Sequence, residues 1–80
     1  MLADLGALLL EEGRTGDAEK AFLALERESP GDPRALGELA FFAFARGDRA
    51  GAERLLLRAL EADPGNSDLR ANLARVRAKQ

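Results

Sequence analysis

Apolar residues along the chain fall into five stretches with helical spacing, separated by short polar breaks rich in Gly, Pro and Asp. In the third stretch Leu36, Leu39, Ala40 and Ala43 share a sector of about 100° and define a core stripe. In the last, Leu69, Leu73 and Val76 form the apolar stripe, and Arg70, Arg75, Arg77, Lys79 and Gln80 make the remainder polar. The spacing predicts helices over about 2–12, 16–28, 33–46, 49–62 and 67–79.

The breaks say where each helix stops and the next begins. Gly13 and Gly47 suit the left-handed residue that ends the first and third helices. Thr15 and Asp48 are the candidate N-caps of the second and fourth. Pro30 and Pro64, each followed by Gly, end the second and fourth. Asp32 can cap the third helix with Pro33 at its first position, where the missing N–H costs nothing. Asn66 can cap the fifth. Connections this short make successive helices antiparallel neighbours.

The third helix carries more apolar volume than one core can take. Residues 38–47 read ELAFFAFARG, and Phe41, Phe42 and Phe44 join Phe22 as the only aromatic residues. Consecutive helical positions lie about 100° apart, so three such neighbours cannot all enter one core. Measured from Leu36, Phe44 lies at about 80°, Phe41 at about 140° and Phe42 at about 240° on the opposite flank. Phe42 is therefore expected against an adjoining helix and Phe44 at the core edge. Phe41 falls outside the core stripe. Two readings of Phe41 and Phe44 stand open: they fill volume left by the small Ala40 and Ala43, or they stand on an apolar face that takes a partner.

Many positions recur at a step of 34 residues. Leu2 maps to Leu36, Leu5 to Leu39, Gly13 to Gly47, Ala18 to Ala52, Phe22 to Leu56, Pro30 to Pro64 and Gly31 to Gly65. The step continues from Leu39 to Leu73 and from Ala40 to Ala74. A fixed period kept over this many positions marks stacked supersecondary units. The divisions are a first unit over about 1–32, a second over 33–66, and a lone helix over 67–80. That helix has one apolar and one polar face, as a terminal cap requires.

Composition narrows the class. The 80 residues are dominated by Ala, Leu, Glu and Arg, and Val76 and Thr15 are the only β-branched residues. An all-α chain of one small domain follows. With neither Cys nor His, disulfides and Cys/His zinc sites are impossible, and no cofactor is expected. Catalysis is hard to build: Ser29, Ser67 and Thr15 sit at caps or turns, and Glu11 and Glu12 point apart on a solvated face. The stretch Asp63–Gly65–Asn66–Asp68 lacks the spacing and terminal Glu of a calcium loop. A non-enzymatic protein is expected.

The net charge of −2 gives no bulk attraction to nucleic acid or acidic membranes, and neither is expected as a partner. The charge is uneven, however. Residues 1–32 carry eight acids and three bases, residues 33–66 five of each, and residues 67–80 one acid and four bases. The basic last helix complements its own dipole, and no aromatic residue interleaves with it to stack bases. The run Leu8–Leu10 is too short to span a bilayer, and no targeting segment is recognisable, so a cytoplasmic location is expected.

Taken together, the 34-residue step and its residues resemble the tetratricopeptide repeat. The first unit matches through Leu5, Gly6, Gly13, Ala18, Phe22 and Pro30. The second matches through Leu36, Leu39, Ala40, Gly47, Asp48, Ala52, Ala59 and Pro64, and the lone helix through Leu73 and Ala74. The resemblance implies a short right-handed α-solenoid of five helices. Gly6, Ala40 and Ala74 would sit where two helices approach closely, as would Ala18, Ala52 and Ala59. Phe22 and Leu56 would fill the space between hairpins. Two departures stand out. Leu2, Leu9, Leu36 and Ala43 occupy positions where the family usually has aromatic residues, and Glu26 stands where the second unit has Leu60.

The resemblance also implies a concave groove, lined by the first helix of each unit, that binds a peptide or helix of a partner protein. The partner-binding positions are then Ala3, Ala7 and Leu10 in the first helix, Arg34, Gly37, Phe41 and Phe44 in the third, and Arg75 in the fifth. A basic clamp for a peptide's terminal carboxylate, known in this family, is not expected. Its positions here are Ala3, Ala7, Glu38, Asp68 and Asn72, and only Asn72 suits it. The alternative is a self-assembling unit that buries the same Phe-rich face or stacks its acidic first unit on the basic last helix.

Overall fold

The computed structural model describes residues 2–78 and the side chains of Leu5 to Ala78. It contains five helices: α1 (Leu2–Glu11), α2 (Thr15–Glu28), α3 (Pro33–Ala45), α4 (Arg49–Ala62) and α5 (Ser67–Ala78). Each packs chiefly on its neighbours in sequence, α1 on α2, α2 on α3, α3 on α4 and α4 on α5. The expected boundaries hold to within one residue, apart from position 79, which lies outside the described residues.

Two turns of one design join the helices within each hairpin. Gly13 adopts φ +78° and Gly47 φ +89°, the region that a Cβ disfavours. The N–H groups of Gly13 and Arg14 donate to the carbonyls of Leu10 and Leu9, and those of Gly47 and Asp48 to Phe44 and Ala43. Both are Schellman motifs that satisfy the orphan carbonyls of the preceding helix. The residue after each Gly also begins the next helix. In the second unit that residue is Asp48, whose Oδ1 accepts from the Gly51 N–H at 2.9 Å. In the first it is Arg14, which has no short side-chain oxygen and makes no capping bond. The expected Thr15 cap is therefore corrected: Thr15 lies one residue too late, already inside α2, and Arg14 instead pairs with Asp17 at 2.8 Å.

The other two caps form as the sequence suggests. Asp32 Oδ1 accepts from the N–H groups of Arg34 and Ala35 at 2.9 and 3.1 Å, with Pro33 leading the helix. Asn66 Oδ1 accepts from the Leu69 N–H at 3.0 Å. Each cap contributes about 1 kcal/mol.

Two apolar clusters hold the stack together. In one, Leu9, Ala18, Ala21 and Phe22 of the first hairpin close on Leu39 and Phe42 of α3. In the other, Leu36, Ala40, Ala43, Ala52, Leu56 and Ala59 close on Leu69, Leu73 and Val76 of α5. Phe22 and Leu56, one repeat apart, are among the three largest fully buried side chains. Burial of each contributes roughly 1.5–3 kcal/mol. Gly6 lies so close to Phe22 that a Cβ there would stand 2.6 Å from the ring. Glu26, the polar departure at a usually apolar position, is half-buried. It accepts from the Gly31 N–H at 3.3 Å and pairs with Arg58 of α4 at 3.4 Å, so it ties the two hairpins through polar contacts.

Two positions depart from the repeat register. Leu5 corresponds to the buried Leu39 yet is exposed, and Ala74 corresponds to the buried Ala40 yet is exposed. In both cases the helix that would cover the residue has no counterpart among the described residues.

Candidate partner-binding groove

Helix α3 is apolar almost all round because it serves three environments. Leu36, Ala40 and Ala43 face the cluster shared with α4 and α5. Leu39 and Phe42 face α1 and α2, and the Phe42 ring centroid lies 6.5 Å from that of Phe22. The third side presents Phe41 and Phe44. Phe41 is 58% exposed and stacks its ring edge-on against Phe42 at 5.7 Å between centroids. Phe44 is half-buried against the α3–α5 cluster. The three neighbours thus divide as the wheel suggests: Phe42 inside, Phe44 at the edge, Phe41 out.

A groove opens between α3 and α5 along this third side, and it has two unlike ends. At one end a cleft of about 60 Å³ has Ala40, Leu56 and Val76 at its base, with Phe41, Phe44, Gly37, Asn72 and Arg75 around it. Small-molecule sites run to several hundred Å³, so this cleft suits one inserted apolar side chain. At the other end a wider hollow of about 480 Å³ is lined by Arg34, Glu38, Asp63, Asn66 and Asp68, with Pro33 and Leu69. Gly37, Phe41 and Asn72 line both, which places Phe41 at the junction. The wide end holds three carboxylates to one guanidinium. Among the described residues neither Arg34 nor Arg75 belongs to an ion pair.

Of the eight sequence-derived positions, Arg34, Gly37, Phe41, Phe44 and Arg75 come together along this groove. Ala7 and Leu10 stand on α1, away from its lining, and Leu10 is half-buried against the first-hairpin cluster. The Ala3 side chain lies outside the described residues. Gly37 has a further duty, because a Cβ there would stand 2.9 Å from Leu69 Cδ2. The end of the Leu69 side chain takes the space that a side chain at position 37 would need.

Asp63 and Asn66, which the sequence did not mark as groove residues, enter the wide end from the α4–α5 connection and bond to each other at 3.1 Å. Asn66 was legible as the cap of α5, but the place of this connection at the groove depends on how α5 packs on α4. Nor did the sequence single out Leu56 and Val76 as the floor. The signal was Ala40, too small to cover them.

The chemistry available is that of contact. Among the described residues no cluster of His, Cys, Asp or Glu could hold a metal ion. Glu38, Asp63 and Asp68 make the wide end acidic. Among the described residues no helix is long and apolar enough to cross a membrane.

Two antiparallel hairpins in a 34-residue register, a further helix and a groove lined by first helices define a helical-repeat protein. The chain belongs to the tetratricopeptide repeat family, whose model matches residues 9–76. No curated protein matches the chain. Members of this family are generally non-enzymatic protein–protein interaction modules.

Proposed function

We propose that the groove between α3 and α5 binds a short apolar peptide or helix of a partner protein, with Phe41 as its central contact. The observation that carries this reading is a large aromatic side chain, 58% exposed, at the mouth of an apolar cleft whose neighbours Phe42 and Phe44 are accommodated by the fold. One apolar partner side chain enters the cleft beside Phe41 and Phe44. A basic partner residue is favoured at the wide end, opposite Glu38, Asp63 and Asp68. An acidic C-terminal peptide is disfavoured there by like charge.

Selection of a random peptide display library on the immobilised protein tests this. Enriched peptides should pair an apolar residue with a nearby Lys or Arg. Phe41→Ala should weaken them about tenfold or more while the helical circular dichroism signal is kept. Enrichment of peptides that bind Phe41→Ala equally well would refute the reading.

A second reading, self-assembly, is favoured by the charge gradient from the acidic first unit to the basic last helix. Sedimentation at micromolar concentration decides it, because a monomer at both low and high salt removes it.

A further inference from the structure

We infer, resting on the groove reading above, that the α3–α5 groove selects a charge-polarised segment. That segment is an extended peptide with a basic residue, an apolar anchor and an acidic residue at alternate positions. Arg75 is the residue that selects the acid. The wide end is lined by the N-terminal parts of both helices, Arg34 and Glu38 of α3 with Asp68 and Leu69 of α5. The narrow cleft is lined by their C-terminal parts, Phe44 of α3 with Arg75 and Val76 of α5. The two helices therefore run the same way along the groove.

The charges divide along the same line. Glu38, Asp63 and Asp68 outnumber Arg34 at the wide end. Among the described residues Arg75 is the one charged group lining the narrow cleft. It is exposed and belongs to none of the ion pairs among those residues. Its helical neighbours Ala71, Asn72 and Ala78 include no acid that could neutralise it. The groove thus runs from an acidic end, past Phe41, to an apolar cleft with a free cation beside it. An occupant complementary to it carries a base at one end and, beyond its anchor, a carboxylate that meets Arg75.

Spacing decides the form of the occupant. Asp68 and Arg75 are separated by about 10 Å of helix rise, and Arg34 and Phe44 by about 15 Å. An extended chain advances about 3.3 Å per residue and turns alternate side chains to one face. A base, an anchor two residues on and an acid two further on span about 13 Å, which matches the groove. A helix would need its base and acid about seven residues apart, and would bring several side chains of one face to a cleft of about 60 Å³ that takes one.

The probe is the synthetic peptide Gly-Lys-Ala-Leu-Ala-Glu-Gly, acetylated and amidated so that its termini are uncharged. It is titrated into the isotopically labelled full chain and followed by amide NMR shifts. Shifts should centre on Gly37, Phe41, Asn72 and Arg75. The peptide should bind about threefold tighter than the same peptide with Lys in place of Glu. Arg75→Ala should erase that preference and Arg75→Glu should reverse it. Equal affinity for the two peptides, with both lost in Phe41→Ala, would overturn the inference and leave the groove reading standing. Binding that survives Phe41→Ala, or no shifts at millimolar peptide, would overturn both. Tighter binding of a peptide with Lys and Glu seven residues apart about the same Leu would overturn the extended form. A dimer in sedimentation that Phe41→Ala dissociates would also overturn the inference, since the occupant would then be a second copy.

Discussion

The two ends of this helix stack are built from the same register and finished in opposite ways. At the α5 end the positions of Leu36 and Ala43 are taken by Arg70 and Arg77, so the last helix turns charge outward after burying Leu69, Leu73 and Val76. At the α1 end the positions of Leu39 and Phe42 are kept as Leu5 and Leu8, and they stand open. A repeat unit cannot bury its apolar face alone, so each end must have that face covered or replaced by polar residues. The comparison shows that burial in a repeat is a property of the neighbour. The same residue type in the same register is core in α3 and surface in α1.

Substitutions at matched positions break or sharpen this contrast. The largest effect is expected at Phe42. Phe42→Ala should cost about 3–5 kcal/mol, a substantial part of the 5–15 kcal/mol typical of whole domains, whereas Leu8→Ala should cost less than about 1 kcal/mol. Urea unfolding of the two variants measures both, and equal losses would mean that α1 is covered in solution.

Next is the close-approach position. Ala40→Leu should cost about 1–3 kcal/mol by overpacking against α4, whereas Ala74→Leu should change stability by no more than a few tenths. A comparable loss at Ala74 would show that α5 carries an unseen neighbour.

The smallest effect concerns the two turns. Asp48→Ala removes a cap and should cost about 1 kcal/mol. Arg14→Ser supplies the missing one and should raise stability by about 0.5–1 kcal/mol, less up to about 0.5 for the lost exposed pair with Asp17. Thermal melts of both variants check it. A loss of stability in Arg14→Ser would mean that Arg14 does more in the turn than its pair with Asp17 accounts for.

Much of this was legible in the chain. The 34-residue step, the Gly and Pro breaks and the Asp and Asn caps place every helix, because those signals are local and act through backbone geometry. The separation of Phe41 from Phe42 was legible as well, since about 100° per residue leaves no other arrangement. What escaped depended on neighbours. Leu5 maps to the buried Leu39, and Ala74 is expected at a close approach of two helices, but the helix that would cover each has no counterpart among the described residues. Thr15 read as a cap because its side chain suits one, yet the Schellman turn at Gly13 fixes the helix start at Arg14. The groove was half legible: the α3 and α5 positions follow from the resemblance to the repeat family, but its acidic end needs the α4–α5 connection, whose place is set by packing.

The central claim is that adjacent phenylalanines on α3 divide between fold and function. Thermal unfolding of Phe41→Ala and Phe42→Ala, with the affinity of each for a groove-selected peptide, tests it most directly. Phe41→Ala should melt within a few degrees of the parent and lose about tenfold or more in affinity, while Phe42→Ala should melt far lower. A Phe41→Ala variant that melts as low as Phe42→Ala, or binds the peptide as well as the parent, would contradict the account.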